Sequence, residues 1–231
     1  MIYVNHLQKE YNGICVLNIP ALTISEKQRF GLVGNNGAGK TTFFRLVLDL
    51  IEATTGEVLL DNQPVVRNDE WKFKVGSFLD EGFLIDFLTA EEYFNFVAKL
   101  HNRSKDDLSI FLKSMEDFFN GEILGTKKLV RDFSKGNQKK IGIAAALIGN
   151  PSYLILDEPF TGLDPSSQIR LKRFLNDLQE TLNITMLISS HDLNHITEVC
   201  NRIVILEKGE IVKDIQTGED TLKELESYFA V

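Results

Sequence analysis

Short apolar runs bounded by turn residues recur along most of the chain and predict β-strands. The predicted strands are residues 14–17, 21–24, 30–33, 58–60, 75–79, 153–156, 184–189, 203–206 and 211–215. Between the last two runs, Lys208-Gly209 is typical of a hairpin turn. Because these runs alternate with segments of helical periodicity, the pattern predicts an α/β fold.

Segments with apolar residues at helical spacing predict helices. They cover residues 40–50, a stretch from Thr89, residues 106–120, 134–149 and 164–182, and a stretch from about Asp220. Thr89 and Glu92 have the spacing of a capping box, and Asp164 before a proline is typical of a helix start. We expect the apolar stripes of the middle helices to face the core: Tyr93, Phe96, Val97, Leu100, Phe111, Met115, Phe118 and Phe119.

The order of these elements predicts one domain with an insertion. Strands and helices alternate on both sides of a mostly helical stretch at about 82–150, and the first 60 residues favour antiparallel strands. We therefore expect a single domain over 1–231, with a mixed central sheet, an N-terminal antiparallel β subdomain and an inserted helical subdomain.

Composition narrows the class of protein. The 231 residues include 25 Lys and Arg against 33 Asp and Glu, a net charge of −8, which argues against an electrostatic nucleic-acid binder. No run approaches the ~18 apolar residues that span a bilayer. The N-terminus lacks a secretory signal pattern, and Cys15 and Cys200 are too far apart to indicate a disulfide framework. These features predict a soluble cytoplasmic protein.

A glycine-rich loop follows the predicted strand at 30–33. Its residues, from Gly34 to Thr41, read GNNGAGKT and match the P-loop pattern, with a helix predicted directly after it. Glycines let the backbone fold around a phosphate with its N–H groups pointing inward. We expect nucleoside triphosphate binding by this loop, with Lys40 near the β- and γ-phosphates and Thr41 holding Mg²⁺. The predicted nucleotide-binding residues are Gly34, Asn35, Asn36, Gly37, Ala38, Gly39, Lys40, Thr41 and Thr42.

Two acids end the apolar strand at 153–156. Acids in this position lie where open α/β sheets bind their ligands. Asp157 is predicted to hold Mg²⁺, and Glu158 to activate the attacking water as a general base. A solvated acidic turn is the alternative, and the P-loop favours the catalytic interpretation.

Further motifs in this order resemble the ATP-binding subunits of ABC transporters over residues 2–215. Phe133–Asn137 (FSKGN) stands where that family has its signature, and Gly162–Asp164 resembles its D-loop. His191 resembles the switch histidine, and Tyr11 stands where the family places an aromatic residue against adenine. The S-K-G signature and an acid near residue 80 resemble bacitracin-type and related ABC-2 exporters.

The resemblance implies a mechanism and partners. Ser134, Lys135, Gly136 and Asn137 would act on ATP bound to a second subunit, so that two copies enclose the nucleotides head to tail, with Asp164 in the D-loop. His191 would orient the attacking water beside the γ-phosphate. A separate membrane permease is implied, with the ATPase peripheral on the inner face of the membrane and substrate export as the expected outcome. The helical subdomain and the loop at Asp80 are the expected docking surface.

Two positions depart from the family pattern. Asp80 stands where transporter ATPases usually carry a glutamine, and we expect it as a possible third metal ligand. Asn137 replaces the usual final glutamine of the signature. Residues 127–140 carry six basic side chains and one acid, which indicates either a solvated face or a surface that attracts the partner's triphosphate.

Two rival functions remain open from the residues alone. A soluble ABC-type ATPase could serve an assembly process such as iron–sulfur cluster biogenesis, and the atypical Asp80 and Asn137 could belong to an ATP switch without hydrolysis. A DNA-repair ABC ATPase is disfavoured because no long heptad insertion is present.

Overall fold

Two β-sheets form the frame of the computed structural model, which describes residues 1–229. The N-terminal sheet has the strand order β2-β1-β4-β5, and the central sheet has the order β10-β9-β3-β8-β7-β6. The strands β1 to β10 are, in chain order, Ile2–Tyr11, Ile14–Ile24, Arg29–Val33, Thr55–Leu60, Gln63–Pro64, Val75–Phe78, Tyr153–Leu156, Thr185–Ser190, Arg202–Glu207 and Glu210–Gln216. The predicted α/β class, with an antiparallel N-terminal sheet and a mixed central sheet, is confirmed.

The central sheet is parallel from β9 to β6, where β3 pairs with both β8 and β9. All four residues of β7 are buried, as expected for a strand covered on both faces. β10 pairs antiparallel with β9 through the two-residue turn at Lys208 and Gly209, which have φ of 48° and 83°. The predicted hairpin is confirmed, and positive φ at both turn residues is typical of a type I′ turn.

Eight helices complete the described part of the chain. In chain order α1 to α8 are Lys40–Val47, Ala90–Leu100, Lys105–Ser114, Glu116–Phe119, Lys135–Leu147, Pro165–Leu182, Leu193–Val199 and Thr221–Phe229. Both features of the predicted capping box at Thr89 and Glu92 are present, and Asp164 caps α6 with Pro165 in its first turn. None of the helices within residues 1–229 has the length and apolar character needed to cross a bilayer.

The predicted helix at 106–120 is wrong in one respect, because it consists of two helices. α3 ends and α4 begins at the buried Met115. The break accommodates two adjacent buried rings: Phe118 stacks on Phe174 of α6 at 4.9 Å, and Phe119 stacks on Phe94 of α2 at 5.8 Å. Sequence periodicity does not reveal such a change of direction.

The predicted apolar stripe of α2 is also partly wrong. Phe96 and Leu100 are 43% and 58% exposed, whereas the buried face carries Ala90, Phe94 and Ala98. The two alanines are small and let α2 approach its neighbours closely. The sequence pattern did not reveal this face, because large side chains dominate a hydrophobic pattern. The exposed aromatic and aliphatic side chains are therefore available for another contact.

The apolar core lies on both faces of the central sheet. Along β7, Leu154 and Leu156 belong to one cluster, and Tyr153 and Ile155 belong to the other. The first cluster extends into the inserted helices through Phe94 and Phe119, and the second joins the N-terminal sheet to α1. The ends of the central strands are therefore held between two packed layers.

We expect Gly76→Ala to test the contact between β6 and α5. An added Cβ would lie 1.9 Å from the carbonyl oxygen of Ala146, a backbone atom that cannot move cheaply. The free energy of unfolding should fall by about 1–3 kcal/mol, as overpacking typically costs. Thermal unfolding measures the change. Gly218→Ala is the matched control, because its Cβ would meet nothing within 4 Å; equal losses in both variants would contradict the proposed contact.

Candidate active site

The glycine-rich loop connects β3 to α1. Gly37 and Gly39 have φ of 83° and 107°, a region that side chains disfavour. A Cβ at Gly34 would lie 2.3 Å from the carbonyl oxygen of Leu206 in β9, so this glycine is required by a close backbone approach. The loop is therefore pressed against the end of the central sheet, with its backbone N–H groups and the start of α1 on one side.

Lys40 lies inside this loop. Its side chain is 7% exposed, and its Nζ donates to the carbonyl oxygen of Gly34 at 2.6 Å and to that of Asn35 at 3.4 Å. Nζ also lies 3.2 Å from Oε1 of Glu158, an ion pair that lacks hydrogen-bond geometry. The cation is therefore held at the loop between neutral carbonyls and one carboxylate.

Asp157 joins three elements of the site. Its Oδ2 accepts a hydrogen bond of 2.5 Å from Oγ1 of Thr41, in the first turn of α1. Its Oδ1 accepts a short hydrogen bond from Oγ of Ser189, at the end of β8. The carboxylate is 6% exposed, so both bonds are shielded from water. The sequence analysis named Thr41 and Asp157, but it assigned no role to the Ser189 hydroxyl.

Glu158 is held in a left-handed backbone conformation, with φ of 48°. Such a conformation costs a non-glycine residue about 1–3 kcal/mol and persists only where neighbouring contacts determine it. Its Oε2 lies 2.9 Å from Nδ1 of His191 and accepts a hydrogen bond of 3.2 Å from Oγ1 of Thr161. Its Oε1 is buried and accepts no hydrogen bond. The structure therefore brings Lys40, Glu158 and His191 together, with Oε1 of Glu158 facing the Lys40 ammonium.

A cavity of about 280 Å³ lies against the loop and is lined by Tyr11, Val16, residues 35–42 and Glu158. Tyr11 ends β1 and is 46% exposed, with Nζ of Lys9 4.8 Å from its ring centre. An aromatic face, a backbone loop and a carboxylate therefore border one opening. The aromatic face can stack on a nucleobase, the backbone loop can bind a phosphate chain, and the carboxylate can contact a reacting water.

The signature residues lie at the start of α5. Oγ of Ser134 caps the helix by accepting from the N–H of Asn137 at 3.2 Å. Within residues 1–229, hydrogen bonds and ion pairs do not connect Ser134, Lys135 or Asn137 to the P-loop. Asp164 caps α6 by accepting from Ser167, and hydrogen bonds from hydroxyl groups hold the pKa of its carboxyl low.

Asp80 does not join the predicted metal ligands. Its Oδ1 accepts from the N–H of Gly82 at 2.7 Å, which caps a short 3-10 helix at Glu81–Phe83. Thr41 and Asp157 contact each other instead. The role of Asp80 stays a prediction.

The predicted basic segment at 127–140 is not one exposed face. Lys139 and Lys140 are buried at 9% and 2% exposure, whereas Lys127, Lys128, Arg131 and Lys135 are exposed. Nζ of Lys140 lies 3.5 Å from Glu122. Nζ of Lys139 donates to the carbonyl oxygen of Glu158 at 2.8 Å and lies 4.0 Å from Glu81.

Burial lowers the pKa of Lys139, and the negative charges of Glu81, Glu158 and Asp157 oppose that shift. In the sequence, Lys139 is only one of six basic residues at 127–140, and nothing there indicates its contact with Glu158. The signal that could have indicated its burial is its position directly before the apolar run at 141–148, within the helix predicted at 134–149.

The residues at the P-loop fit a magnesium ion. Thr41 supplies a hydroxyl and Asp157 a carboxylate, the hard oxygen ligands that Mg²⁺ prefers, and phosphate oxygens of a nucleotide would complete the set. Among residues 1–229, His, Cys, Asp and Glu form no group of three or more that could hold a metal by itself.

The fold and this site define a P-loop nucleoside triphosphatase. The family profile described as ABC transporter matches residues 17–161. The ABC transporter ATP-binding protein YhaQ of Bacillus subtilis, itself uncharacterized, is 35% identical over 99% of this chain and 74% of its own length. The bacitracin transport ATP-binding protein BcrA of Bacillus licheniformis is 34% identical over 93% of this chain and 69% of its own length.

A solved structure supports the same assignment. The dimeric structure of MJ0796, a bacterial ABC transporter cassette, superposes with a TM-score of 0.85 at 26% identity, over 95% of this chain and 100% of that one. The chain belongs to the ABC transporter family, as an ATP-binding subunit with the ATPase fold. The predicted family and fold are confirmed, and iron–sulfur cluster assembly is not favoured.

Removing the Ser189 hydroxyl tests the link between Asp157 and Glu158. Ser189→Ala leaves the buried Asp157 carboxylate short of one donor, so the free energy of unfolding should fall by about 1–3 kcal/mol. ATP turnover should fall as well, because the N–H of Glu158 donates to the same hydroxyl at 2.9 Å. Thermal unfolding and phosphate release measure the two effects.

Ser190→Ala is the matched control, since this neighbouring buried hydroxyl accepts from the N–H of Asp192 and contacts neither acid. It should lower stability with a smaller change in turnover. Equal turnover losses in the two variants would contradict a specific role of Ser189.

Proposed function

We propose that this chain hydrolyses MgATP within a dimer and thereby drives export through a separate membrane permease. The observation that carries the proposal is the convergence of Thr41, Asp157, Glu158 and His191 at the P-loop. In this proposal the full chain, residues 1–231, is one cassette, and its helical part at about 82–150 is a subdomain of it.

Each residue of the site has a separate role in the proposed hydrolysis. Backbone N–H groups of the loop and the Lys40 ammonium bind the β- and γ-phosphates and neutralise charge that develops on the transferred group. Oε1 of Glu158, which lies 3.2 Å from Nζ of Lys40 and accepts no hydrogen bond within the chain, accepts one from the attacking water and takes its proton. His191, 50% exposed and bonded to Oε2 of Glu158, keeps that carboxylate oriented and reaches the γ-phosphate.

Nucleotide and metal binding complete the site. Tyr11 stacks on the adenine, and Thr41 and Asp157 hold Mg²⁺. When bound, the metal withdraws charge from the phosphate oxygens. The Thr41 hydroxyl and the Asp157 carboxylate, which would hold the ion, already lie together, joined by a hydrogen bond of 2.5 Å.

A second copy of the chain supplies the signature. Ser134, Lys135, Gly136 and Asn137 stand at the start of α5, where N–H groups and the helix dipole attract anions. Gly136, in the first turn of α5, is partly exposed, so its backbone can be approached from outside. The dimeric arrangement described for MJ0796 supports this assembly.

The membrane partner is proposed to dock between the sheet and the helical subdomain. A groove of about 270 Å³ lies there, lined among others by Leu50, Phe83, Tyr93 and Val97. Phe83 and Phe87 are 54% and 65% exposed, and Phe73 is 62% exposed. Large exposed apolar side chains at a groove are typical of a protein interface. This would place the ATPase at the inner face of the membrane.

The names of relatives support a transport role. BcrA from Bacillus licheniformis and from Enterococcus faecalis are both called bacitracin transport ATP-binding proteins. With the S-K-G signature, they support export as the direction. A peptide antibiotic or a similar amphiphile is the class of substrate we propose to test first.

Replacing the proposed base tests the mechanism. Glu158→Gln should lower ATP turnover by roughly 10²- to 10⁴-fold, the typical contribution of a general base. ATP binding should persist, because the P-loop is untouched, and the variant should accumulate as an ATP-bound dimer. Phosphate release and size-exclusion chromatography with ATP measure the outcome. Turnover near that of the unaltered chain would reject Glu158 as the base.

A charge in the groove tests the docking surface. Phe83→Asp should weaken binding to the permease at least about tenfold, because it places a carboxylate in an apolar contact. The ATPase activity of the separate chain should change little. Ile169→Asp, at a 50% exposed apolar residue on α6, is the matched control. Equal co-purification of both variants with the permease would contradict this docking surface.

A further inference from the structure

Lys139 links the signature helix to the catalytic turn of the same chain. It lies in the second turn of α5, two residues after Asn137, with 9% of the residue exposed. Its Nζ donates to the carbonyl oxygen of Glu158 at 2.8 Å, a bond between the side chain of a helix and the backbone of the turn after β7. Burying an ammonium is costly unless it is paired, so this contact is specific.

The bond falls on a residue of the site with a left-handed backbone. Glu158 has φ of 48°, and its N–H donates to Oγ of Ser189 at 2.9 Å. Lys139 donates the shorter of the two hydrogen bonds on the carbonyl of the same residue, 2.8 Å against 3.3 Å from the N–H of Thr161. Both polar groups of the Glu158 backbone are therefore held by side chains, one from β8 and one from α5, in a conformation that needs such contacts to persist.

The same ammonium faces a third element. Nζ of Lys139 lies 4.0 Å from Oε1 of Glu81, on the short 3-10 helix that also contains the exposed Phe83. Glu81 is the residue after Asp80, at the point where the sequence departs from the glutamine of its family. One buried cation therefore connects the signature helix, the proposed docking loop and the turn that carries the proposed base.

We infer that Lys139 is a positioning residue, which holds the Glu158 carboxylate in its reactive orientation by fixing the Glu158 carbonyl. A movement of α5 or of the loop at Glu81 would therefore change the position of Glu158 through the Lys139 side chain. The inference rests on the proposed role of Glu158. Lys139 has no contact with ATP in this inference. Its substitution should therefore lower turnover and leave nucleotide binding unchanged.

Lys139→Met removes the donor and keeps an unbranched side chain. We expect kcat to fall on the order of 10- to 100-fold, the loss typical of a slightly misplaced catalytic group. KM and the affinity for a fluorescent ATP analogue should stay within about twofold, because uniform binding is untouched. Lys139→Arg keeps a charged donor and should restore kcat to within about threefold of the unaltered chain. Unchanged kcat in the methionine variant would overturn the inference.

Lys140→Met is the matched control for the loss of a buried lysine. Lys140 is the next residue of α5 and is 2% exposed, but its partner is Glu122 in the helical subdomain. Thermal unfolding should show a loss of stability in both methionine variants, with the fall in kcat confined to Lys139→Met. Equal falls in kcat would mean that burial alone matters and would overturn the inference. If Lys139→Met does not fold, Lys139→Gln takes its place: its side chain is one bond too short to keep the hydrogen bond to the Glu158 carbonyl, so the same fall in kcat is expected.

A double-mutant cycle with Glu158→Gln tests the route of the effect. If Lys139 acts through Glu158, adding Lys139→Met to Glu158→Gln leaves the residual single-turnover rate within about twofold, because the two losses do not add. The doubly substituted chain should still form the ATP-bound dimer. Additive losses, or loss of that dimer, would place Lys139 in another role and overturn the inference.

The experiments distinguish failure of the proposed base, Glu158, from failure of the positioning role of Lys139. Near-normal turnover of Glu158→Gln alone rejects the proposed base, whatever Lys139 does. A strongly impaired Glu158→Gln together with normal kcat in Lys139→Met rejects the positioning role and leaves the base in place.

Discussion

The hydrogen bonds on the buried Asp157 carboxylate are the constraint on which the site depends. One oxygen is held by Thr41 at the start of α1, and the other by Ser189 at the end of β8. The parallel register of β3, β8 and β7 brings these groups to one edge of the sheet. A slip of one residue in any strand would turn its side chains to the opposite face. The P-loop, the acidic turn and the histidine therefore keep their places because the sheet register is fixed by the two apolar layers around it.

Placement of charge explains how a chain with a net charge of −8 can bind a triphosphate. The cations at the site are few and buried, and each has a defined partner: Lys40 lies among loop carbonyls, and Lys139 on the backbone of Glu158. Backbone N–H groups of the loop supply the remaining positive potential without adding net charge. A basic surface is therefore unnecessary, and the acidic side chains can occupy the rest of the surface, where they favour solubility.

Local patterns predicted much of this molecule. The P-loop, the acids after β7, the helix caps and the hairpin were all readable, because each depends on neighbouring residues with defined geometry. The features that the sequence did not predict depend on contacts between residues far apart in the chain. Lys139 looked like part of a basic stretch because its partners, Glu158 and Glu81, are far away in the chain. Likewise, the buried face of α2 uses alanines whose value comes only from the closeness of the neighbouring helices.

The position of β3 has a consequence for the order in which the chain can fold. This strand, at Arg29–Val33, is made early, yet both of its neighbours, β8 and β9, are made after residue 184. The turn at Gly209 then closes on the loop, where its N–H donates to the carbonyl oxygen of Ala38 at 2.9 Å. Pairings so distant in sequence form slowly. On the ribosome, the phosphate loop therefore waits for most of the chain, and a truncated nascent subunit holds no finished ATP site with which to consume ATP.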